Sequence, residues 1–406
     1  MKNYWTFVVD NRKVLLFGFI CVFWGNLGQS FFIGWYGEPI KQSLNLSAKA
    51  YGGFYAAATL LSAFALAWLG PWLDKVSLKK VLAFACLGLT FACVGFSLSF
   101  NVGLLFLAFF LVRLFGQGML PLIGHTTMVK YFEQGRGKAI SLAASGVSLG
   151  EIVLPLLAIA LIATLGWRHS WLVFAASVPL VLAPLCVWLM RNRTWTAELE
   201  QARIDESQAS ITENQGVNGR RLLFSDKRYW FCLPTQLSVP FILTAVFIHQ
   251  DYILIEKQWS AAALASGFVL YGISHWLSSI AFGVLVDRFS GTFLFRFYTL
   301  PLIVAMGVLA GFDGTWGLAL FMLLLGMSIG GSGPVCGSMW AEAYGKSVQG
   351  AIRSSSGAVV ILSTAVAPIA VGWLIDVEVG LQAMFAGFTL FFLFSLCLLR
   401  FSYRPK

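Results

Sequence analysis

Six stretches of this chain, residues 14–37, 50–73, 169–190, 229–250, 354–375 and 379–399, contain no Asp, Glu, Lys or Arg. Each is long enough to cross a bilayer as a helix, which takes about 20 apolar residues. Two longer uncharged runs, 81–112 and 258–286, leave room for a tilted span or for parts of two. In lipid every backbone N–H and C=O must be bonded within the protein, so only helices and closed barrels can cross. Barrel strands alternate polar and apolar residues over about ten positions, and these runs do not. Only 11% of the residues are charged, against about 25% in soluble domains. The sequence therefore predicts an all-α membrane protein with twelve transmembrane helices, at about 14–37, 48–70, 81–99, 102–129, 138–164, 169–190, 229–256, 261–285, 292–311, 315–341, 350–375 and 381–400. We call these spans 1 to 12.

The net charge of +10 needs no nucleic acid to explain it. With the N-terminus inside, four of the 28 Lys and Arg lie outside (Lys41, Lys49, Arg168, Lys257) and one, Arg113, lies within a span. The remaining 23 fall in cytoplasmic segments or at their edges, among them Arg12, Lys13, Lys79, Lys80, Lys130, Arg136, Lys138 and Lys346. That asymmetry sets the orientation, with both termini cytoplasmic. The N-terminus lacks a short apolar region followed by a small-residue cleavage site, so span 1 is expected to be retained.

Residues recur at an offset of 213: Gly70 and Asp74 return as Gly283 and Asp287, and Gly118, Pro121 and Gly124 as Gly331, Pro334 and Gly337. Gly137 returns as Gly350 and Pro155 as Pro368. This predicts two pseudo-symmetric six-helix bundles, residues 1–190 and 227–406, joined by a polar cytoplasmic linker at 191–226. Residues 194–206 read either as a short surface helix or as a solvated linker. Internal repeats of this kind are a mark of transporters with a site between two halves. Prolines at matching positions in both halves suit bundles that rock.

The seven cysteines all lie in expected spans, without metal-ligand spacing, and read as small buried apolar residues. No histidine has Cys or Glu at zinc spacing, and no Gly-x-x-x-x-Gly-Lys-Ser/Thr loop offers to hold ATP. The expectation is a protein that is not an enzyme, has no cofactor or metal, and draws on an ion or solute gradient.

Twelve spans in two halves with a central loop and inside termini resemble the major facilitator superfamily, and the resemblance covers the whole chain. Its most specific mark is the loop between spans 2 and 3. The family pattern there is Gly-x-x-x-Asp-Arg/Lys-x-Gly-Arg-Arg/Lys. This chain has Gly70, Asp74, Lys75, Ser77, Leu78, Lys79 and Lys80, with a second copy at Gly283, Asp287 and Arg288. The resemblance implies a latch between halves at Asp74, Lys75, Asp287 and Arg288. The stretch Gly116-Gln117-Gly118, Tyr131-Phe132, Arg136 to Ala139, Ser145-Gly146, Gly150, Pro155 and Gly166-Trp167-Arg168 is similar to the monocarboxylate and oxalate/formate-type branch. That branch carries small organic anions, with protons or by exchange. Glu151 follows Gly150 where the drug/proton antiporter pattern has proline.

A charged group at mid-membrane costs about 3 kcal/mol or more and is a functional candidate. Arg113 lies halfway along span 4 and Glu151 halfway along span 5. They read either as a structural ion pair or as a substrate grip and a proton carrier. Span 8 presents Phe268, Tyr271 and His275 at spacings of three and four, on one helix face. His275 can bind substrate or take a proton near neutral pH. Gln29, Trp35 and Tyr36 on span 1, and Gln236 and Thr244 on span 7, are candidate cavity residues. Glu38 and Asp251, 213 apart at outer helix ends, read as an external gate, and Asp251 also as a proton carrier. Glu342 and Arg353 flank the loop between spans 10 and 11 as a candidate inner gate. His125, nearer the end of span 4, reads as packing.

The substrate-binding set is then Arg113, His275, Tyr271, Gln29, Tyr36 and Gln236. The proton set is Glu151, His275 and Asp251. In the register of the repeat these candidates are mismatched: Arg113 faces Gly326, Glu151 faces Thr364 and His275 faces Ser62. The expected function is secondary transport of a small organic anion across a bacterial-type inner or plasma membrane, coupled to a proton or a counter-substrate, by a monomer. Two alternatives stay open. The 15 Trp and 36 Phe suit efflux of a lipophilic or cationic compound. A non-transporting sensor with a transporter fold would bind substrate without counterflow.

Overall fold

The computed structural model describes residues 4–132, 135–191, 195–196, 219–345 and 349–403, and among these no strand forms. Among the described residues nine helices are long and apolar enough to cross a membrane, or ten if the bent pair Arg12–Gly28 and Ser30–Leu44 (47°) is one span. The 55-residue stretch Arg136–Met190 is too long for one crossing. At 1.5 Å per residue it would reach roughly 80 Å, against about 30 Å of hydrocarbon. It breaks at Gly166, whose φ of 77° and ψ of 160° only glycine tolerates, and so holds spans 5 and 6. Span 9 is the short helix Gly291–Leu294, a turn, and the apolar helix Leu300–Gly311. The set is consistent with twelve crossings.

The chemistry of the helix ends explains the other boundaries. The Asn101 side chain accepts from the Leu104 N–H at 2.9 Å and starts span 4. Ser260 accepts from the Ala263 N–H at 3.1 Å and starts span 8. Asp226 accepts from the Arg228 N–H at 2.9 Å and starts span 7. The same Asp226 carboxylate takes the Arg228 guanidinium and the hydroxyls of Tyr344 and Tyr403. Burial opposes its charge, yet the Arg228 and Tyr344 hydrogen bonds hold its pKa below the ordinary carboxylate range.

Interruptions inside spans are as informative. Span 4 widens to a π-helix over Val112–Met119, just before Pro121. Proline removes a donor and crowds the preceding turn, and a wider turn relieves that. Span 1 passes through a short 3-10 turn, Asn26–Gly28, and an extended residue, Gln29, before helix resumes at Ser30. Span 7 runs as Lys227–Ile248, breaks at His249 and continues as Gln250–Lys257.

Two compact units form. The first comprises Met1–Pro39, Ala57–Gly150 and Ala160–Asn214. The second comprises Ile40–Ala56, Glu151–Ile159 and Gln215–Lys406. The first packs its core around aromatic rings: Trp171 stacks on Phe96 at 4.2 Å, with Phe32, Tyr36 and Phe174 edge-on or tilted around it. Within it Gly28 and Gly116 let spans 1 and 4 touch backbone to backbone, because a Cβ on Gly28 would strike Gln117 N and Val112 O. In the second unit Gly326 and Gly330 of span 10 play the same role against Tyr271, His275 and Ser278 of span 8. Close approach of this sort is what holds helices together in lipid, where apolar burial gains nothing. Trp68 is 79% exposed and Trp316 90%, side chains that suit a hydrocarbon surface and not water. The linker residues 197–218 lie outside the described residues, and so does most of the helix expected at 194–206. Trp195 is buried against Phe17, with its indole N–H on the Leu189 carbonyl at 3.1 Å.

Candidate functional site

Glu151 stands in the helix Arg136–Ser177, four residues before Pro155. That proline has no N–H to close on the Glu151 carbonyl, so the helix is one bond short where the acid sits. Its carboxylate is in contact with span 8: Glu151 Oε2 and His275 Nδ1 are 2.7 Å apart. The side chains are 5% and 17% exposed. Tyr271, one turn before His275 on the same face, is fully buried, with its ring 6.1 Å from that of His275. It is wedged edge-on against Phe247 at 5.4 Å and Phe268 at 5.8 Å. The histidine is fixed from behind by span 10, since Gly326 lies against the Tyr271 carbonyl and the His275 N–H. Ser274 Oγ reinforces the crossing by donating to the Leu323 carbonyl at 2.7 Å.

The result is a carboxylate, an imidazole and a phenol gathered on two helices at membrane depth. Either charge alone is costly there, and each offsets the other. One proton can pass between the two groups over a single hydrogen bond. The sequence weighed Glu151 against Arg113; the acid's hydrogen-bonding partner is instead His275.

Arg113 belongs to a second constellation, in the first unit. It sits on the π-helical turn of span 4, buried, and donates from Nη1 to the Gly28 carbonyl at 3.1 Å. One turn on, Gln117 Nε2 donates to Gln29 Oε1 at 3.0 Å. The break in span 1 and the widened turn in span 4 thus bring Arg113, Gln117 and Gln29 together. The sequence singled out Arg113 and Gln29 but passed over Gln117, although it lies four residues after Arg113 on the same helix.

The other candidates separate. Tyr36 is fully buried in the aromatic core, and its hydroxyl accepts from Ser170 Oγ at 3.2 Å. Gln236 is buried and donates to Ser356 Oγ. Asp251 forms an ion pair with Lys41, a residue the sequence had used only to count charges. Glu38 is half-buried at the head of the helix Gly37–Leu44. Glu342 caps the helix Gly291–Leu294, accepting from the N–H groups of Gly291 (2.6 Å) and Thr292 (2.9 Å) and from Ser338 Oγ (2.9 Å). Arg353 is exposed, and among the described residues no ion pair joins it to Glu342. Asp287 and Arg288 are exposed at the end of span 8, with Arg288 over the Phe289 ring at 5.2 Å. The side chains of Asp74 and Lys75 lie outside the described residues.

The sequence matches the family model described as Major Facilitator Superfamily over residues 15–266. No curated protein matches it by sequence. Solved structures match it over nearly their whole lengths. The inward-open xylose transporter XylE from E. coli is 15% identical with a TM-score of 0.68, covering 98% of this chain and 97% of that one. A bacterial homologue of the human lysosomal transporter Spinster is 14% identical with a TM-score of 0.66, covering 97% and 98%. A variant of the nucleoside transporter NupG is 16% identical with a TM-score of 0.64, covering 96% and 97%. At such identities these likenesses speak to the fold alone. Family match and fold agree with spans that hold an acid, a histidine and an arginine at membrane depth: the chain belongs to the major facilitator superfamily and is a membrane transport protein, not an enzyme.

Proposed function

We propose that this protein is a secondary active transporter moving a small, monocarboxylate-like organic anion by alternating access, with a proton as the coupled ion. The observation that carries the proposal is the contact between Glu151 and His275, 2.7 Å long and largely shielded from solvent. An anion that takes the place of Glu151 on a protonated His275 leaves the acid without a partner. At that depth an unpaired carboxylate is costly, so Glu151 takes up a proton. One proton then accompanies one anion without a net charge being stranded. Arg113, on its widened turn, supplies a two-pronged donor suited to a carboxylate. Tyr271 and Gln29 are assigned to the substrate as further polar contacts, and Gln117 joins them.

The moving bodies in this reading are the halves 1–190 and 227–406, joined by 191–226. The working unit is a monomer in an inner or plasma membrane, with both termini in the cytoplasm. Uptake of labelled organic acids into proteoliposomes under an imposed pH gradient tests it. Glu151→Gln is expected to abolish accumulation driven by the gradient while leaving exchange of internal for external substrate intact. Arg113→Ala is expected to abolish both. Full pH-driven accumulation by Glu151→Gln refutes the coupling role.

A second reading, efflux of a lipophilic compound, is supported by one observation. Spans 7, 11 and 12 border an open, largely apolar groove of about 810 Å³ lined by Leu237, Phe241, Leu362, Val366 and Phe388 among others. Drug susceptibility of cells with and without the protein separates the two readings.

A further inference from the structure

The segment Ile40–Ala56 belongs by sequence to the ends of spans 1 and 2, yet it packs into the second unit. Three kinds of contact hold it there. Lys41 forms an ion pair with Asp251, at the head of the helix Gln250–Lys257. The Asp376 carboxylate accepts from the N–H groups of Ala48 and Lys49, both at 3.1 Å. Gly52 lies against the Pro368 carbonyl and Gly372 against the Ala48 carbonyl, so spans 2 and 11 meet with no side chain between them. His249, at the break in span 7, bonds the same Pro368 carbonyl through Nε2 at 2.9 Å.

The first turn of span 2 makes the role of Asp376 plain. A helix begins with four N–H groups that lack partners within it. Here Ala50 is served by Ser47 Oγ at 3.2 Å, and the regular ladder starts with the Tyr51 N–H on the Ser47 carbonyl at 3.0 Å. Two more, Ala48 and Lys49, are served by an acid 328 and 327 residues away. Asp376 for its part is the last residue of the helix Gln349–Asp376. A negative charge at a helix carboxyl end is unfavourable, and one at a neighbour's amino end is favourable. Separation therefore disfavours both partners: span 2 loses two acceptors, and Asp376 is left facing its own helix dipole.

We propose that Asp376, capping span 2, and Asp251, holding Lys41, are two bolts of a latch that keeps the mouth remote from the termini closed, and that both release when that mouth opens. The inference rests on the transporter reading, though on neither the anion nor the proton assigned above.

Hydrogen–deuterium exchange on the full chain in lipid nanodiscs, with no substrate added, tests it. Asp376→Ala is expected to speed exchange about fivefold or more over residues 48–56, as loss of a cap would. It is also expected to speed exchange over 249–257, to which among the described residues no hydrogen bond from Asp376 is made but which the same opening would expose. Lys41→Met should produce the same paired response. Ser47→Ala, which removes a cap outside the latch, should act only near residue 50. Asp376→Asn keeps the side chain's size and one acceptor, and should fall between the parent and Asp376→Ala; it carries the test if the alanine variant does not fold. A response to Asp376→Ala or Asp376→Asn confined to the first turn of span 2, with 249–257 unchanged, overturns the latch. Because no substrate enters, that result would leave the transport assignment standing, and a failed uptake experiment would leave the latch standing.

Discussion

At the scale of single residues, the Glu151–His275 contact makes a prediction that needs no substrate. Breaking a buried ion pair by removing one partner costs about 3–5 kcal/mol, because the survivor is left charged and unpaired. Removing both charges costs less. His275→Ala should therefore lower the melting temperature of the purified protein more than the double variant Glu151→Gln with His275→Ala does. If the two single effects simply add, the groups do not act as a pair. The residues were visible in the sequence because ionisable groups are rare in these spans. Their pairing was not. Spacing along a helix says which side chains share a face, as with Tyr271 and His275, but it cannot say which helix that face meets. Arg113 looked like the partner of Glu151 because both were charged and on adjoining spans. Its observed contact is instead with the Gly28 carbonyl of span 1, a backbone acceptor created by a helix break that no charge pattern marks.

At the scale of helices, the repeat register becomes a statement about packing. The position in span 10 that matches Arg113 is Gly326, and this glycine lets span 10 press on the backbone of span 8 at Tyr271 and His275. The same register thus holds a cation in span 4 and an empty space in span 10, and the space positions the histidine. Gly326→Val puts a branched side chain where even a Cβ meets the Tyr271 carbonyl. Since the neighbour is backbone and cannot swing aside, the two helices must separate. We expect Gly326→Val to lower thermal stability by an amount typical of overpacking, about 1–3 kcal/mol, and to impair transport even though it removes no polar group. Gly333→Val, on the same helix where a Cβ meets nothing within 4 Å, is the control that should do neither. A melting curve and an uptake rate for each variant check this. Most span positions were legible from charge-free runs. The π-turn at Val112–Met119 and the break at Gln29 were not, because they follow from how neighbouring backbones crowd and not from local composition.

At the scale of the molecule, the basic residues give the proposed orientation a structural rationale. The charge count places four of them outside, and three of those are held by other groups. Lys41 pairs with Asp251, and Lys257 is buried against Asp313 at 2.5 Å. Arg168 lies over the Trp167 ring at 4.2 Å and donates to the Ser99 carbonyl at 3.3 Å. Lys79, Lys80, Arg136 and Lys138, which the same count places on the other side, are exposed. Exposed basic charges resist transfer across the membrane, by about 2.3 kcal/mol per charge for each 100 mV, whereas a basic group tied to an acid presents little net charge. In the orientation proposed, the positive-inside rule acts on the exposed cations, and two of the four outer ones, Lys41 and Lys257, are neutralised by acids. The whole-molecule prediction follows. In a background with Cys336→Ser and Cys397→Ser, the two cysteines that are not buried, single cysteines are placed at Glu378 and at Lys79, both exposed. On intact cells a membrane-impermeant thiol reagent should label Glu378→Cys at once, and Lys79→Cys only after permeabilisation. The reverse pattern would invert the orientation, and would place the latch formed by Lys41, Asp251 and Asp376 at the cytoplasmic mouth.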